Sequence, residues 1–437
     1  MVEGEDDRAA EPFELMQYFY RRSHDPLIRC RIDLSAHIDV SLLKRALEVS
    51  ATAAPLVFCI FDEDRGVWVK QECDADDVVS LVNANLTNEH LTSGDHVSEG
   101  DSPSPDSVLL QSFDQHAGPR LRVNVMRGGR KDTLCIIVDH MICDGAGFRD
   151  YLYLLAEIYS AMESGSDGRS VVDGYPSRRD FAQVSDNIGL MRKLGIVLAG
   201  AGAPSENPAM RLPLRSDAKD ARLARVVIKP ADFTRIRTYA KFHKVTVNDL
   251  LLAAYARTLR DRTGCCDIVL PCPVDLRRYG KAGQRFGFCN LTSNYFCHLE
   301  MRRDESFDET LVAVAAQMKA QKESDACLKG PLLLHALARV VSRRRLEDAF
   351  FKAVGVPTVS FTNVGIIDEN RLVFGTIRPE SAFFATALKR PPSFQLSVST
   401  FRDACTMTSS LYANEDDFKC VESLLEEVKG ELVAACK

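Results

Sequence analysis

The sequence predicts an α/β protein built in two parts, and three observations carry that prediction. Strand-like alternation and helix-spaced apolar stripes follow one another from Ile28 to Leu432. A stretch from Gly165 to about Ala221, rich in Gly, Pro, Ser and mixed charge, interrupts them. At 437 residues the chain also exceeds the size at which a single hydrophobic core usually stops growing. The division is drawn as 1–165, a crossover linker at 166–221, and 222–437.

The elements follow in order. Phe13 to Tyr20 is aromatic-rich, and Ile28 to Leu34 alternates as a strand does. Leu42, Leu43, Ala46, Leu47 and Val49 then lie on one helical face. Glu72 to Asp106, full of Asp, Ser, Asn, Gly and Thr, reads as surface loops. Leu121–Met126 and Thr133–Val138 read as a hairpin around Gly128-Gly129-Arg130. Phe148, Tyr151, Leu152, Leu155, Ile158 and Tyr159 repeat at helical spacing, with Gly165 just past the end. In the linker, the apolar run around Leu198 reads as a buried helix, the alternatives being a flexible lid or a surface for an oily acceptor.

The second half resumes with a strand at Arg225–Ile228, a helix at Asn248–Leu259 and a short strand at Ile268–Pro271. Ser306-Phe-Asp-Glu309 has the spacing at which serine and glutamate cap each other's backbone donors, so a helix starts there. Strands are expected at Thr358–Thr362, Phe394–Phe401 and Thr406–Tyr412, and a last helix along Phe418, Val421, Leu424, Leu425, Val428 and Leu432. No repeat of solenoid period is present.

Composition narrows the function classes. Apolar residues at 46% and charged residues at 27% fit a globular protein. A net charge of -6 without a dense basic stripe argues against nucleic acid as a partner. The 14 cysteines include no C-x-x-C, so they read as buried thiols of a cytoplasmic protein and not as zinc ligands or a disulfide framework. The amino terminus is acidic and unlike a secretory signal. The longest apolar run, Leu194–Ala203, falls short of the roughly 20 residues that span a bilayer. The expectation is a monomer that is not an integral membrane protein.

The chemistry concentrates in Asp139-His140-Met141-Ile142-Cys143-Asp144-Gly145, between an apolar strand and a helix start. A strand end fixes the backbone, and Gly145 and Gly147 let the chain turn so that His140 projects into a cleft. A neutral imidazole suits removal of a proton from an attacking alcohol or amine. Asp144 either orients that ring or holds the loop through an arginine. Metal binding by His140 and Asp144 is disfavoured, because no third ligand stands at matching spacing. Cys143, between an apolar strand and a glycine turn, reads as packing and not as a nucleophile.

The pattern H-x-x-x-D-G after a buried strand resembles the active-site motif of one acyltransferase superfamily. Its members include nonribosomal peptide condensation domains, chloramphenicol acetyltransferase and the plant-type BAHD acyltransferases. Further segments match in order: Phe113–Arg122 with its Gly118-Pro119, Thr246-Val-Asn248-Asp249, Pro273-Val-Asp275-Leu-Arg277, Gly287-Phe-Cys-Asn290 and Phe361-Thr-Asn363-Val-Gly365. The resemblance spans nearly the whole chain. It implies two chloramphenicol-acetyltransferase-like subdomains, each a mixed sheet with helices, around a central cleft or tunnel.

It also implies His140 as general base, with Asp144 and Gly145 structural and Arg277 the partner of Asp144. Asn290, Thr292, Asn363, Ser397 and Ser399 are candidates to hold the oxyanion or substrate, and Tyr18 and Phe19 to line the acceptor tunnel. Two features depart from relatives. Asp139 stands where condensation domains carry a first histidine, and with Asp144 it also fits the D-x-x-x-x-D of heterocyclisation domains. The plant-type D-F-G-W-G is absent, Trp68 being the sole tryptophan.

The expected activity is acyl transfer from a thioester to a hydroxyl or amine. The donor is an acyl-coenzyme A or an acyl-phosphopantetheine carrier protein, with no metal and no tightly bound cofactor. Coenzyme A and an alcohol are favoured, since no carrier module accompanies the motif. The alternatives are a catalytically idle condensation-like interaction module and an amide-forming condensation enzyme.

Overall fold

The computed structural model describes residues 7–70, 72–83, 103–112, 118–199, 204–215, 217–355 and 357–437. Of the segments read above, 113–117, 200–203 and much of 72–106 lie outside the described residues.

Two hydrophobic cores organise the chain, each under its own sheet. The amino-terminal sheet has five strands in the order Pro379–Ala385, Leu27–Leu34, Lys131–Asp139, Leu121–Gly128, Val79–Asn83. The last strand runs parallel to its neighbour, and the other pairings are antiparallel. The central strands are almost continuously apolar because both faces are covered, so Leu134, Cys135, Ile136, Ile137 and Val138 are all buried. The Gly145–Glu163 helix buries Phe148, Tyr151, Leu152, Leu155, Ile158 and Tyr159, and it packs beside the Val40–Ser50 helix.

The carboxyl-terminal sheet places Ala404–Tyr412 between Phe394–Phe401 and Ala221–Ile228. Val359–Ile367 lies parallel to the outer side of Phe394–Phe401. Asp267–Asp275 and Thr292–Glu300 form a separate antiparallel ladder. The Val247–Thr263 and Glu415–Ala435 helices supply much of this half's buried surface. The Ser306/Glu309 capping box is formed and opens the Phe307–Glu323 helix.

The halves exchange strands. Pro379–Ala385, from late in the chain, is an edge of the amino-terminal sheet. His24–Asp25, from early in the chain, pairs with Leu388–Lys389 in the carboxyl-terminal one. The second exchange lies close in sequence to Pro26, whose carbonyl accepts from the His140 backbone N–H.

Several segments differ from the sequence expectation. The region expected to be loops contains the short Ala75–Val78 helix and the parallel strand Val79–Asn83, which its length and exposed Ser80 and Leu81 hide. The linker is packed, since Phe181, Val184, Ile188, Met210 and Leu212 all enter the carboxyl-terminal core. Leu190–Leu198 is a helix but not a buried one: Leu190 is 72% and Leu198 84% exposed, and only Ile196 is buried. All fourteen cysteines carry free thiols. Among the described residues, no helix is long and apolar enough to cross a membrane.

Candidate active site

His140 follows directly on the strand Lys131–Asp139, and its backbone N–H donates to the carbonyl of Pro26 at 2.8 Å. That contact continues the pairing of Leu27 with Asp139 and fixes where the side chain leaves the sheet. Asp139 points the other way, fully buried. It accepts from Arg120 Nη1 at 3.2 Å, Arg21 Nη2 at 3.3 Å and the Met141 backbone N–H at 2.9 Å. Asp139 therefore braces the strand end.

The His140 ring is held by Asn290, whose Oδ1 lies 3.2 Å from Nδ1. Asn290 Nδ2 donates to the carbonyls of His140 at 2.9 Å and Met141 at 2.8 Å, so its amide has one orientation. Oδ1 can then only accept, and His140 Nδ1 carries the hydrogen. Nε2 is left with its lone pair, makes no hydrogen bond to a described residue and is not sealed from solvent. Burial pulls the imidazole pKa below 6.5, outweighing the upward pull of its own backbone, Asp144, Asn290 and Asp139. The ring is a neutral base near pH 7.

Asp144 is the N-cap of the Gly145–Glu163 helix, accepting from Gly147 N at 2.7 Å. Arg277 Nη1 reaches both its oxygens, at 3.1 and 3.0 Å. The Leu291 backbone N–H, at 2.7 Å, and Thr292 Oγ1, at 2.9 Å, donate to Oδ2. Burial by itself raises this carboxyl's pKa, but Arg277 and the backbone donors hold it below the ordinary carboxylate range. Arg277 also donates to the Cys289 carbonyl at 2.9 Å, and its own pKa is raised. One carboxylate thus ties the histidine loop of one half to the 289–292 segment of the other.

Glycine serves here by its size. Neither Gly145 nor Gly147 has a positive φ, so the expected sharp turn is made without left-handed backbone. A Cβ on Gly147 would sit 3.0 Å from the Cys289 carbonyl and 3.2 Å from Arg277 Nη2, so any larger residue would crowd both. A Cβ on Gly145 would meet ordinary contacts with Val364. Cys143 is fully buried, and burial pushes its thiol well up, so thiolate chemistry is unsupported there.

The remaining sequence candidates are dispersed. Asn290 and Thr292 adjoin His140 and Asp144, but their donors are spent on the protein. Asn363 is exposed and donates to Asn248 Oδ1. Ser397 and Ser399 are buried on the carboxyl-terminal sheet, where Ser399 Oγ accepts from Phe384 N and Ser397 Oγ has no partner. Phe19 is wholly buried against Leu346 and Phe350, whereas Tyr18 is half-buried against Phe61. Two polar residues near His140 were absent from the sequence candidates, His24 and Lys389, which face each other across the exchanged strands. The only local signal was a histidine two places before a proline at a strand entry.

No family model matches the chain. A nonribosomal peptide synthetase, kk1B of Curvularia clavata, is 25% identical over 323 residues, which is 67% of this chain but 2% of that protein's length. Polyketide synthase associated protein 5 from Mycobacterium tuberculosis superposes with a TM-score of 0.66 at 15% identity, covering 96% of each chain. The trichothecene 15-O-acetyltransferase TRI3 from Fusarium sporotrichioides gives 0.66 at 14%, covering 98% of this chain and 94% of its own. The epimerization domain from the third module of tyrocidine synthetase B gives 0.64 at 14%, covering 100% and 99%. The chain has the fold of the condensation-domain and chloramphenicol-acetyltransferase-like superfamily.

Proposed function

We propose that the protein is an acyltransferase that moves an acyl group from a thioester to a hydroxyl or amine, with His140 as general base. The observation that supports this most is the fixed tautomer: Nδ1–H is held by Asn290, and Nε2 is left unprotonated and without a hydrogen-bond partner among the described residues. In the proposed step Nε2 takes the proton of the acceptor as its oxygen or nitrogen bonds to the thioester carbonyl. The tetrahedral intermediate then breaks its C–S bond, and the proton on Nε2 passes to the departing thiolate. Asp144, Gly145 and Arg277 hold the loop. Among the oxyanion candidates, Ser397 and Ser399 keep hydroxyl hydrogens uncommitted to the protein, and Asn363 keeps one of its two N–H groups.

Acyl-coenzyme A is the proposed donor and an alcohol the proposed acceptor. The peptide synthetase relative favours a second reading, amide formation between carrier-bound substrates. Thiol release from acetyl-coenzyme A, with pooled alcohols and amines as acceptors, tests the first. His140→Ala is expected to abolish acceptor-dependent release while melting within a degree or two of wild type. Equal release by variant and wild type removes His140 from the mechanism. Activity confined to carrier-bound donors selects the second reading.

A further inference from the structure

The strands exchanged between the halves bring together two basic side chains that the proposed mechanism does not use. Lys389 stands directly opposite His24 in the antiparallel pair of Leu388–Lys389 with His24–Asp25, so the two side chains share one face. His24 precedes Pro26, whose carbonyl holds the backbone of His140, and the charges of His140 and Lys389 both act on it.

The ammonium of Lys389 has no hydrogen bond or ion pair among the described residues, yet it is half-buried and not sealed from solvent. The nearest carboxylate in sequence to His24, Asp25, faces the other way. It is spent on Arg29 at 2.9 Å, Ser112 Oγ at 2.5 Å and the Leu27 backbone N–H at 3.0 Å.

His24 is oriented too. Ser23 Oγ donates to the Tyr20 carbonyl at 2.8 Å, so at 2.9 Å it accepts from His24 Nδ1–H. That leaves His24 Nε2 without a protein partner among the described residues. A partly desolvated cation without a counter-ion is costly unless something else supplies the negative charge. Burial draws the Lys389 pKa down to about 8, so it is mostly charged near pH 7. Burial holds His24 well below its ordinary value and neutral. The pair therefore offers one net positive charge, a match for one carboxylate.

We propose that Lys389, with His24 beside it, binds the carboxylate of a substrate next to His140, so that one of the two reactants is a free acid. This deepens the acyl-transfer reading and rests on it for the placing of substrate at His140. The acid belongs either to the acyl group of the donor or to the acceptor, and the chemistry of recognition is the same for both.

Calorimetric titration of the full chain tests it, with malonate, 3-hydroxybutyrate and methyl 3-hydroxybutyrate as probes. Both acids are expected to bind wild type and His140→Ala alike. Loss of the charge-assisted contact in Lys389→Met should weaken them about tenfold or more, while Lys389→Arg stays within about threefold of wild type. The methyl ester should not distinguish the four proteins. If the acid lies on the donor, Lys389→Met weakens malonyl-coenzyme A and spares acetyl-coenzyme A. If it lies on the acceptor, both thioesters are spared and 3-hydroxybutyrate is weakened.

The proposal is overturned if neither acid binds at about 20 mM, or if both bind a folded Lys389→Met as they bind wild type. Lys389→Gln replaces Lys389→Met should the latter not fold. Because binding is read in His140→Ala, its result is independent of whether His140 is the base. Intact acid binding with release indifferent to His140 would leave the subsite and remove the mechanism.

Discussion

Replacing Arg277 by alanine should cost stability near neutral pH and return part of it in acid. The guanidinium is one of four donors to the Asp144 carboxylate and also holds the Cys289 carbonyl. Removing one partner of a buried ion pair typically costs about 3–5 kcal/mol. Here Gly147 N, Leu291 N and Thr292 Oγ1 remain on the carboxylate, which places the loss near the low end, about 3 kcal/mol. With an unfolding entropy of about 2.1 cal/mol/K per residue, a chain of 437 residues melting as one unit loses about 3 °C.

The pH dependence separates this electrostatic loss from simple loss of packing. In wild type the Asp144 pKa lies below the ordinary 3.8, so its contribution is complete above that value and disappears as pH falls through the lower, folded one. Without Arg277, burial, already the largest single influence, loses its main opponent and the carboxyl's pKa rises, so protonation relieves the strain as pH falls. The gap in Tm between variant and wild type should therefore narrow between about pH 7.5 and about pH 5. Scanning calorimetry at both pH values measures it. Equal Tm at the higher pH, or a gap that does not close in acid, refutes the argument.

Three further outcomes are expected. The rate of thiol release should rise with pH through a midpoint below 6.5, because the working form of His140 is the unprotonated one and burial favours it; a pH–rate profile with its midpoint above 6.5 contradicts the assignment. Asn290→Ala should lower kcat about a hundredfold, since it frees the ring tautomer and orphans two carbonyls, and steady-state kinetics with circular dichroism distinguish this from unfolding. Gly287→Ala should be strongly destabilising, because the new Cβ would lie 1.9 Å from the Arg178 carbonyl, a backbone atom that cannot swing aside; a melting curve like that of wild type would refute it.

How much of this was legible depends on the range of the interaction. The hairpin ending in His140 and the helix after it were readable because period-two and period-3.6 apolar patterns are local properties of a few turns. The Ser306 cap was readable for the same reason. The Pro230–Phe242 helix was not read, since its charged sequence carries a weak stripe and its one clear signal is Pro230 at the first turn.

Pro379–Ala385 was missed because its strand partner comes from near the other end of the chain, and register across so long a separation leaves no local mark. Asn290 reads from the sequence as a candidate oxyanion or substrate contact, and the structure puts it against the His140 ring. Its work, though, is to brace the ring, which depends on two carbonyls from a segment about 150 positions away. Lys389 had no signal, because an unpaired charge is defined by what fails to surround it, and His24 had only its place before Pro26.

The exchange of strands has a consequence for taking the protein apart. A cut in the linker would leave the early fragment with Leu27–Leu34 as an unprotected margin, its row of amide and carbonyl groups open to any extended chain. The later fragment would lose the His24–Asp25 clasp against Leu388–Lys389. Complementation of the two pieces, co-expressed but unlinked, should therefore rebuild the molecule where neither piece alone stays in solution.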